Sequence, residues 1–531
     1  MTVIAPAPGI TTGRGMTMSD IIARHARIHP DGVAFRDGEL TLTWAQTDER
    51  IGRFALVLAA AGVTPGDRVA VLGLNSVPLV EAMAATLRLG AICVPVNFRM
   101  VASEVAYVLS DSGSVVLVTD DALAPLAAAA QAMVPEVAAL VSIGDGYDDL
   151  LAAADGTVPA PAVPDTDPAF IMYTSGTTGR PKGAVLTHRN LLLHSYSNII
   201  HLGDSGNERV GLSGAPMFHI AGVAGFYLNM VVAGATVMTP SGGFDPAAMV
   251  DLLERERVSG CFFVPAQWAA ICAVPGIKDR DLSALKQLSW GAAPASTTLL
   301  RTMIDTFPQG DIITAFGQTE CSPVTCVLRG EDSIRKIGSI GTPMLNVEVR
   351  VVDDDMNDVA QGDVGEIVYR GPLVMDGYWN KPAETAEAFR GGWFHSGDLV
   401  REDEDGYFFV VDRKKDMIIS GGENIYCAEV ENVLAAHPKV AEVALIGVPD
   451  PKWGESPLAV IAPRDPADPP TAAEIDAFCR EHLAAYKRPR EVAIVEALPR
   501  NPSGKVLKTQ LRSDHGAHDV VARIVGEPAP R

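Results

Sequence analysis

Eleven consecutive residues, Tyr173-Thr174-Ser175-Gly176-Thr177-Thr178-Gly179-Arg180-Pro181-Lys182-Gly183, concentrate the groups that can hold a phosphate chain. The glycines free the backbone to turn tightly and aim N–H groups at anionic oxygens. The hydroxyls of Thr174, Ser175, Thr177 and Thr178 add donors, and Arg180 and Lys182 add positive charge. A Walker A loop needs G-x-x-x-x-G-K-[ST], but Pro181 separates Gly179 from Lys182 and Gly183 follows, so a P-loop kinase or ATPase is disfavoured.

The elements around this loop read as an α/β protein. The apolar run at 68–74 precedes a helix-like stretch to Leu89 and a second run at 90–96, the βαβ signature of a parallel sheet. Runs at 115–119, 139–143, 235–239 and 260–264 repeat the theme, a helix is expected within 122–132, and a Pro/Ala/Asp-rich linker at 152–168 leads to a strand at 169–173. From Val347 to Arg370, short alternating strands separated by Asp/Gly turns predict a small β-rich subdomain. A strand at 406–412 and a charged bend, Arg413-Lys414-Lys415-Asp416, then lead to a helix at 429–436, a strand at 440–447 and a helix at 471–482, a compact α+β unit.

Composition narrows the possible partners. The 531 residues suffice for about three to four domains. Lys and Arg number 43 against 65 Asp and Glu, a formal charge of −22, which argues against a nucleic-acid or anionic-membrane binder. Hydrophobic residues make up 47%, which excludes a disordered chain. The seven cysteines show no CxxC and no zinc spacing, and read as buried small hydrophobes in a reducing, cytoplasmic setting. Ile220–Met238 is uncharged and nearly long enough to span a bilayer, but Gly222, Gly225, Asn229 and Gly234 favour a buried helix, turn and core strand. No transmembrane segment is therefore expected, and residues 1–18 lack the apolar core of a signal peptide.

The phosphate loop resembles the signature of the adenylate-forming superfamily, which spans acyl-CoA synthetases, aryl-CoA ligases, luciferases and peptide-synthetase adenylation domains. Further motifs follow in the family's order: Pro216-Met217-Phe218-His219, Gly291-Ala292-Ala293-Pro294, Ala315-Phe316-Gly317-Gln318-Thr319-Glu320, Ser396-Gly397-Asp398, Asp412-Arg413 and Asn501-Pro502-Ser503-Gly504-Lys505. Each is weak alone. The ordered set makes coincidence untenable.

The resemblance implies a role for each matched residue. Thr174, Ser175, Gly176, Thr177, Thr178, Gly179 and Lys182 would hold the ATP phosphates, and Gly291, Ala292, Ala293 and Phe316 would contact adenine. Thr319 would meet the α-phosphate, Glu320 would hold Mg²⁺, and His219 would gate the acyl pocket. Asp398 and Arg413 would bind ribose, Lys415 would serve as the hinge, and Gly422 would let the pantetheine arm of CoA pass. Lys505 would be the catalytic lysine, acting with Thr178, Glu320 and His219. The implied architecture is a flexible extension (1–18), a large adenylating domain of several subdomains (19–412), a mobile C-terminal domain (413–513) and a tail (514–531).

The implied reaction activates a carboxylic acid with ATP through an acyl-adenylate and transfers the acyl group to CoA, releasing AMP and pyrophosphate. The segment 412–429 and the phrase AFGQTE look most like bacterial, particularly actinobacterial, fatty-acyl-CoA synthetases, so a medium- to long-chain fatty acid is expected. An aryl or sterol-side-chain acid, or an acyl-AMP ligase loading a carrier protein, is the alternative, and a homodimer is the assembly that the resemblance implies. Ala315 stands where many members have glycine on the acyl-pocket wall, and Cys427 where proline is usual. Phe218, Trp268 and Trp290 suit either pocket walls or ordinary core packing.

Overall fold

A computed structural model describes residues 17–156, 161–174, 180–202, 208–239, 243–291, 295–500, 506–515 and 522–523. Two compact units emerge, one of residues 1–349 with 369–394 and the other of residues 350–368 with 395–531.

The first unit is built on two large sheets. One has seven strands, ordered Gly377–Tyr378, Lys182–Thr187, Pro168–Thr174, Ile92–Pro95, Arg68–Leu72, Ser114–Thr119, Ala139–Ser142. From Pro168–Thr174 onward its pairings are parallel, whereas Lys182–Thr187 pairs antiparallel with both of its neighbours, Gly377–Tyr378 and Pro168–Thr174. The other has nine strands, with a parallel centre running from Asp311–Gly317 through Gln287–Gly291, Gly260–Phe263, Val210–Ser213 and Ala235–Met238 to Val33–Asp37. Parallel neighbours need long crossovers, and helices supply them. Val77–Arg88 links the strands Arg68–Leu72 and Ile92–Pro95, with Ser76 accepting the Leu79 N–H as its N-cap. The helix expected within 122–132 covers Ala124–Gln131.

The uncharged stretch 220–238 folds as expected, into the helix Ile220–Val231 and the buried strand Ala235–Met238. Among the described residues no helix is long and apolar enough to cross a membrane. Trp268 packs edge-to-face between Phe263 and Phe307, at 5.2 and 5.8 Å, and donates its indole N–H to the Ser289 carbonyl at 3.0 Å. Each such ring pair adds about 0.5–1.5 kcal/mol to the burial itself. Trp268 and Trp290 are therefore core residues, in the cluster that also holds Leu288 and Met303.

The second unit carries most of a four-stranded sheet ordered Glu348–Val352, Val364–Arg370, Phe394–Glu402, Phe408–Arg413. A further sheet pairs the long strands Val440–Asp450 and Gly454–Pro463 and adds Ile418–Ser420 with Glu423–Ile425. The helices Cys427–Ala435 and Ala472–His482 pack on it, the second started by a Thr471/Glu474 capping box. The molecule is thus α/β, with large parallel sheets followed by a small α+β unit. All seven cysteines are unpaired, and only Cys272 is not fully buried.

Candidate active site

The phosphate-loop motif sits on a hairpin. The strands Pro168–Thr174 and Lys182–Thr187 pair antiparallel with Thr174 opposite Lys182, so the chain leaves and returns to the sheet at those two residues. Ser175, Gly176, Thr177, Thr178 and Gly179 lie outside the described residues, as do Ala292, Ala293 and Lys505.

Beside the hairpin stands Glu320, in a single turn (Thr319–Cys321) at the end of the strand Asp311–Gly317. Its residue is 7% exposed, yet its Oε1 accepts from the Tyr378 hydroxyl at 3.0 Å and the Thr174 hydroxyl at 3.4 Å. Burial, together with the neighbouring Glu320 charge, pushes the Tyr378 phenol well above its ordinary range, so it remains a donor. The Lys182 ammonium lies 4.5 Å from the centre of the same ring. Tyr378 therefore joins one acidic and one basic side chain. Nothing in the sequence around Gly377-Tyr378 marked it.

Gly291 ends the strand Gln287–Gly291, directly opposite Ala315. A Cβ there would come within 2.3 Å of the Ala315 carbonyl, so only glycine allows the two strand ends to close up. Gly291 and Phe316 thus share the carboxyl ends of neighbouring parallel strands, where open α/β sheets bind ligands.

His219 caps the helix Ile220–Val231 with an extended backbone, and its ring lies 4.5 Å from that of Phe218. Phe98 meets Phe218 edge-to-face at 5.2 Å, giving a half-buried aromatic cluster. Asn75, after the strand Arg68–Leu72, fixes the approach by donating to the Ala215 carbonyl and accepting the Met217 N–H, both at 2.9 Å. This anchor was not apparent in the sequence.

In the second unit Asp398, 4% exposed, faces Arg413 across paired strands, Nε to Oδ1 at 3.0 Å. Gly397 bends with φ +73° and gives its N–H to Glu366 at 3.0 Å. Burial opposes ionisation of Glu366, but bonds from His395, Gly397 and Lys414 outweigh it and hold the carboxyl below its usual range. Lys415 follows on the exposed bend. Gly421 and Gly422 form the two-residue turn between Ile418–Ser420 and Glu423–Ile425, with φ of +62° and +87°. A Cβ on Gly421 would strike Trp453 at 2.5 Å, whereas one on Gly422 would meet nothing within 4 Å.

Cys427 opens the helix Cys427–Ala435, gives its N–H to the buried Asp412 carboxylate and its thiol to the Asp416 carbonyl at 2.9 Å. Burial raises the Asp412 carboxyl to about 6.

Residues 22–379 match the AMP-binding enzyme family, and residues 429–505 match the AMP-binding enzyme C-terminal domain. The chain belongs to the AMP-binding enzyme family. It is 43% identical to a feruloyl-CoA synthase of Amycolatopsis sp. over 93% of this chain and 98% of that one. It is 37% identical to a long-chain-fatty-acid–CoA ligase of Mycobacterium tuberculosis over 90% of this chain and 94% of that one. Among solved structures, the o-succinylbenzoate CoA synthetase of Bacillus subtilis with its acyl-adenylate intermediate superposes with a TM-score of 0.84 at 31% identity, covering 93% of this chain and 97% of that one.

In this AMP-binding enzyme, then, one unit brings Thr174, Lys182 and Glu320 together around Tyr378, and sets Gly291 beside the Phe316 strand. The other pairs Asp398 with Arg413 and exposes the Gly422 turn.

Proposed function

We propose that this AMP-forming acid–CoA ligase activates an aryl carboxylic acid of the feruloyl type. The observation that carries the adenylation chemistry is the convergence of Thr174, Lys182 and Glu320 on Tyr378. A carboxylate oxygen of the acid attacks the α-phosphorus of ATP, the bond to the bridging oxygen breaks, and pyrophosphate leaves. The barrier is largely electrostatic, because an anion approaches a polyanion and charge builds on the leaving oxygens. Lys182 and the hydroxyls and N–H groups of residues 174–179 are assigned those oxygens, Thr319 the α-phosphate, and Gly291, Ala292, Ala293 and Phe316 the adenine. Lys505 is assigned the contact that links carboxylate and α-phosphate, while Asp398 and Arg413 take the ribose.

The residues present suit magnesium. Among the described residues no three His, Cys, Asp or Glu gather into a cage. Mg²⁺ needs none, since it takes one or two carboxylates together with substrate phosphate oxygens, and Glu320 is a hard-oxygen donor held in place. When bound, the ion neutralises phosphate charge. Glu320 would hold it.

In the second half-reaction the CoA thiol, losing its proton, attacks the acyl carbonyl and AMP departs. Gly422 is assigned the passage of the pantetheine arm. The same reading divides the chain into an adenylating domain, 19–412, and a mobile domain, 413–513, hinged at Lys415. A cytoplasmic location fits ATP and CoA as substrates.

The aryl assignment is supported by the 43% identity to a feruloyl-CoA synthase and by the Phe98–Phe218–His219 cluster, whose flat faces suit a planar ring. The second reading is the medium- to long-chain fatty acid expected from the sequence, supported by the relative at 37% identity. ATP–pyrophosphate exchange over hydroxycinnamic acids and fatty acids of graded length, followed by CoA addition, separates them. Exchange with ferulate well above that with laurate or palmitate is the expected result. The reverse order replaces the aryl acid by the fatty acid, and exchange without thioester formation on CoA points to a carrier protein as acceptor.

A further inference from the structure

The helix Ala102–Ser112 lies against the phosphate hairpin and carries Asp111 near its end, with a side chain 10% exposed. Its Oδ2 accepts from the Tyr173 hydroxyl at 2.8 Å, and its Oδ1 from the Lys381 ammonium at 2.7 Å. One turn earlier, Tyr107 donates to the Pro181 carbonyl at 3.0 Å and lies 3.4 Å from the same carboxylate. The two phenol rings meet edge-to-face at 6.5 Å, and Arg180 lies over the Tyr107 ring at 5.3 Å.

The positions of these partners matter more than their number. Tyr173 immediately precedes Thr174, where the chain leaves the sheet, and Pro181 immediately precedes Lys182, where it returns. One helix therefore grips both ends of the hairpin, and Lys381 ties in the segment after the edge strand Gly377–Tyr378. Burial and the carboxylate keep both phenols protonated, so each stays a donor. A carboxylate that accepts charge-assisted and phenolic bonds from separate segments fixes their spacing more firmly than apolar contact does.

We propose that Asp111 is a positioning residue for adenylation: through Tyr173, and with Tyr107 on Pro181, it sets the separation of the two ends of the phosphate loop. That separation governs how the loop meets the β- and γ-phosphates of ATP, the part of the nucleotide that becomes the leaving group. The inference rests on the reading of residues 173–183 as the phosphate loop, and it adds a helix to that loop which touches no substrate.

The test compares equilibrium binding of MgATP and of AMP by titration calorimetry in the wild type, Asp111→Asn, Tyr173→Phe and the double variant, with thermal midpoints alongside. Each single variant is expected to weaken MgATP about tenfold, the size of one lost charge-assisted bond, and AMP by less than about twofold, since AMP lacks the phosphates in question. The double variant is expected to be no weaker than the worse single one, because both break the same contact. Tyr173→Phe keeps its ring, which guards against a simple folding failure of Asp111→Asn. Equal weakening of MgATP and AMP, additive losses, or unchanged MgATP binding overturns the proposal. Wild-type protein that binds no MgATP overturns the adenylation reading and this inference with it, whereas wild-type binding with unaltered variants overturns this inference alone.

Discussion

The Tyr378 hydroxyl donates to the Glu320 carboxylate at 3.0 Å, and this bond ties an edge strand of one sheet to the turn that ends a strand of the other. The same ring lies against Lys182, so a single phenol orients one anion and one cation. Its loss separates two effects that usually fall together.

Tyr378→Phe is expected to raise the Mg²⁺ concentration for half-maximal ATP–pyrophosphate exchange about fivefold while the ring still supports Lys182. Tyr378→Leu removes both contacts and is expected to raise the KM for ATP as well. Titrating Mg²⁺ at fixed ATP, then ATP at saturating Mg²⁺, checks the pair. An unchanged Mg²⁺ requirement in the Phe variant would refute the orienting role of the hydroxyl.

Lys505→Ala is expected to slow acyl-adenylate formation roughly 10²-fold or more, as removal of a transition-state charge stabiliser does. Thioester formation from added acyl-adenylate is expected to survive. Normal pyrophosphate exchange in this variant would remove Lys505 from the mechanism.

Gly422→Leu is expected to stop transfer to CoA and leave adenylate formation intact. The position holds φ +87°, which strains any L side chain by about 1–2 kcal/mol, but a Cβ there meets no other atom within 4 Å. The substitution is therefore tolerated by the fold. Rapid-quench measurement of the two half-reactions decides it, and equal loss of both would sink the assignment.

Asp412 predicts a pH effect on stability. Its folded-state value, about 6, is raised above the unfolded 3.8, so the folded state binds the proton more tightly. The stabilisation is complete below the unfolded value and is lost as pH rises through about 6. Between pH 4.5 and 7 the wild type should lose about 2 kcal/mol relative to Asp412→Asn. Urea denaturation of both proteins across that range measures it, and parallel curves would contradict the shift.

Cys427→Pro, the residue usual in the family at this position, removes the N–H given to the same carboxylate. It is expected to destabilise by about 1–3 kcal/mol, whereas Cys427→Ala keeps that N–H and is expected to lose less. Denaturation midpoints rank the two variants.

The contiguous parts of the site were legible because their chemistry lies in adjacent residues. The hydroxyls and glycines around Thr174, the Ser396-Gly397-Asp398 stretch and the Gly421–Gly422 pair carry donors, acceptors and backbone freedom in adjacent residues. The parallel sheets were legible too, since strands such as Arg68–Leu72 and Ser114–Thr119 are apolar on both faces. The supports were not. Asn75, Asp111 and Tyr378 are ordinary polar residues on distant elements, and only the folded chain brings them to Met217, Tyr173 and Glu320. Trp268 stayed ambiguous because apolar patterning says that a ring is covered without saying by what, and the answer is the Phe263–Phe307 core. The acid was expected to be a fatty acid because residues 412–429 and the phrase AFGQTE at 315–320 look fatty-acyl-like, and neither segment contains Phe98 or Phe218, whose rings form the aromatic cluster.

The Gly421–Gly422 turn rests one flank on the Trp453 indole and leaves the other bare. A two-residue turn has no side chains with which to steady itself, so the neighbouring ring serves as its bearing surface, aided by the Gly421 N–H given to the Trp453 carbonyl at 2.8 Å. Trp453 is in turn flanked by Lys452 and Arg490, at 4.5 and 4.6 Å from its ring. Changes at these three residues are therefore expected to reach the turn without altering either glycine.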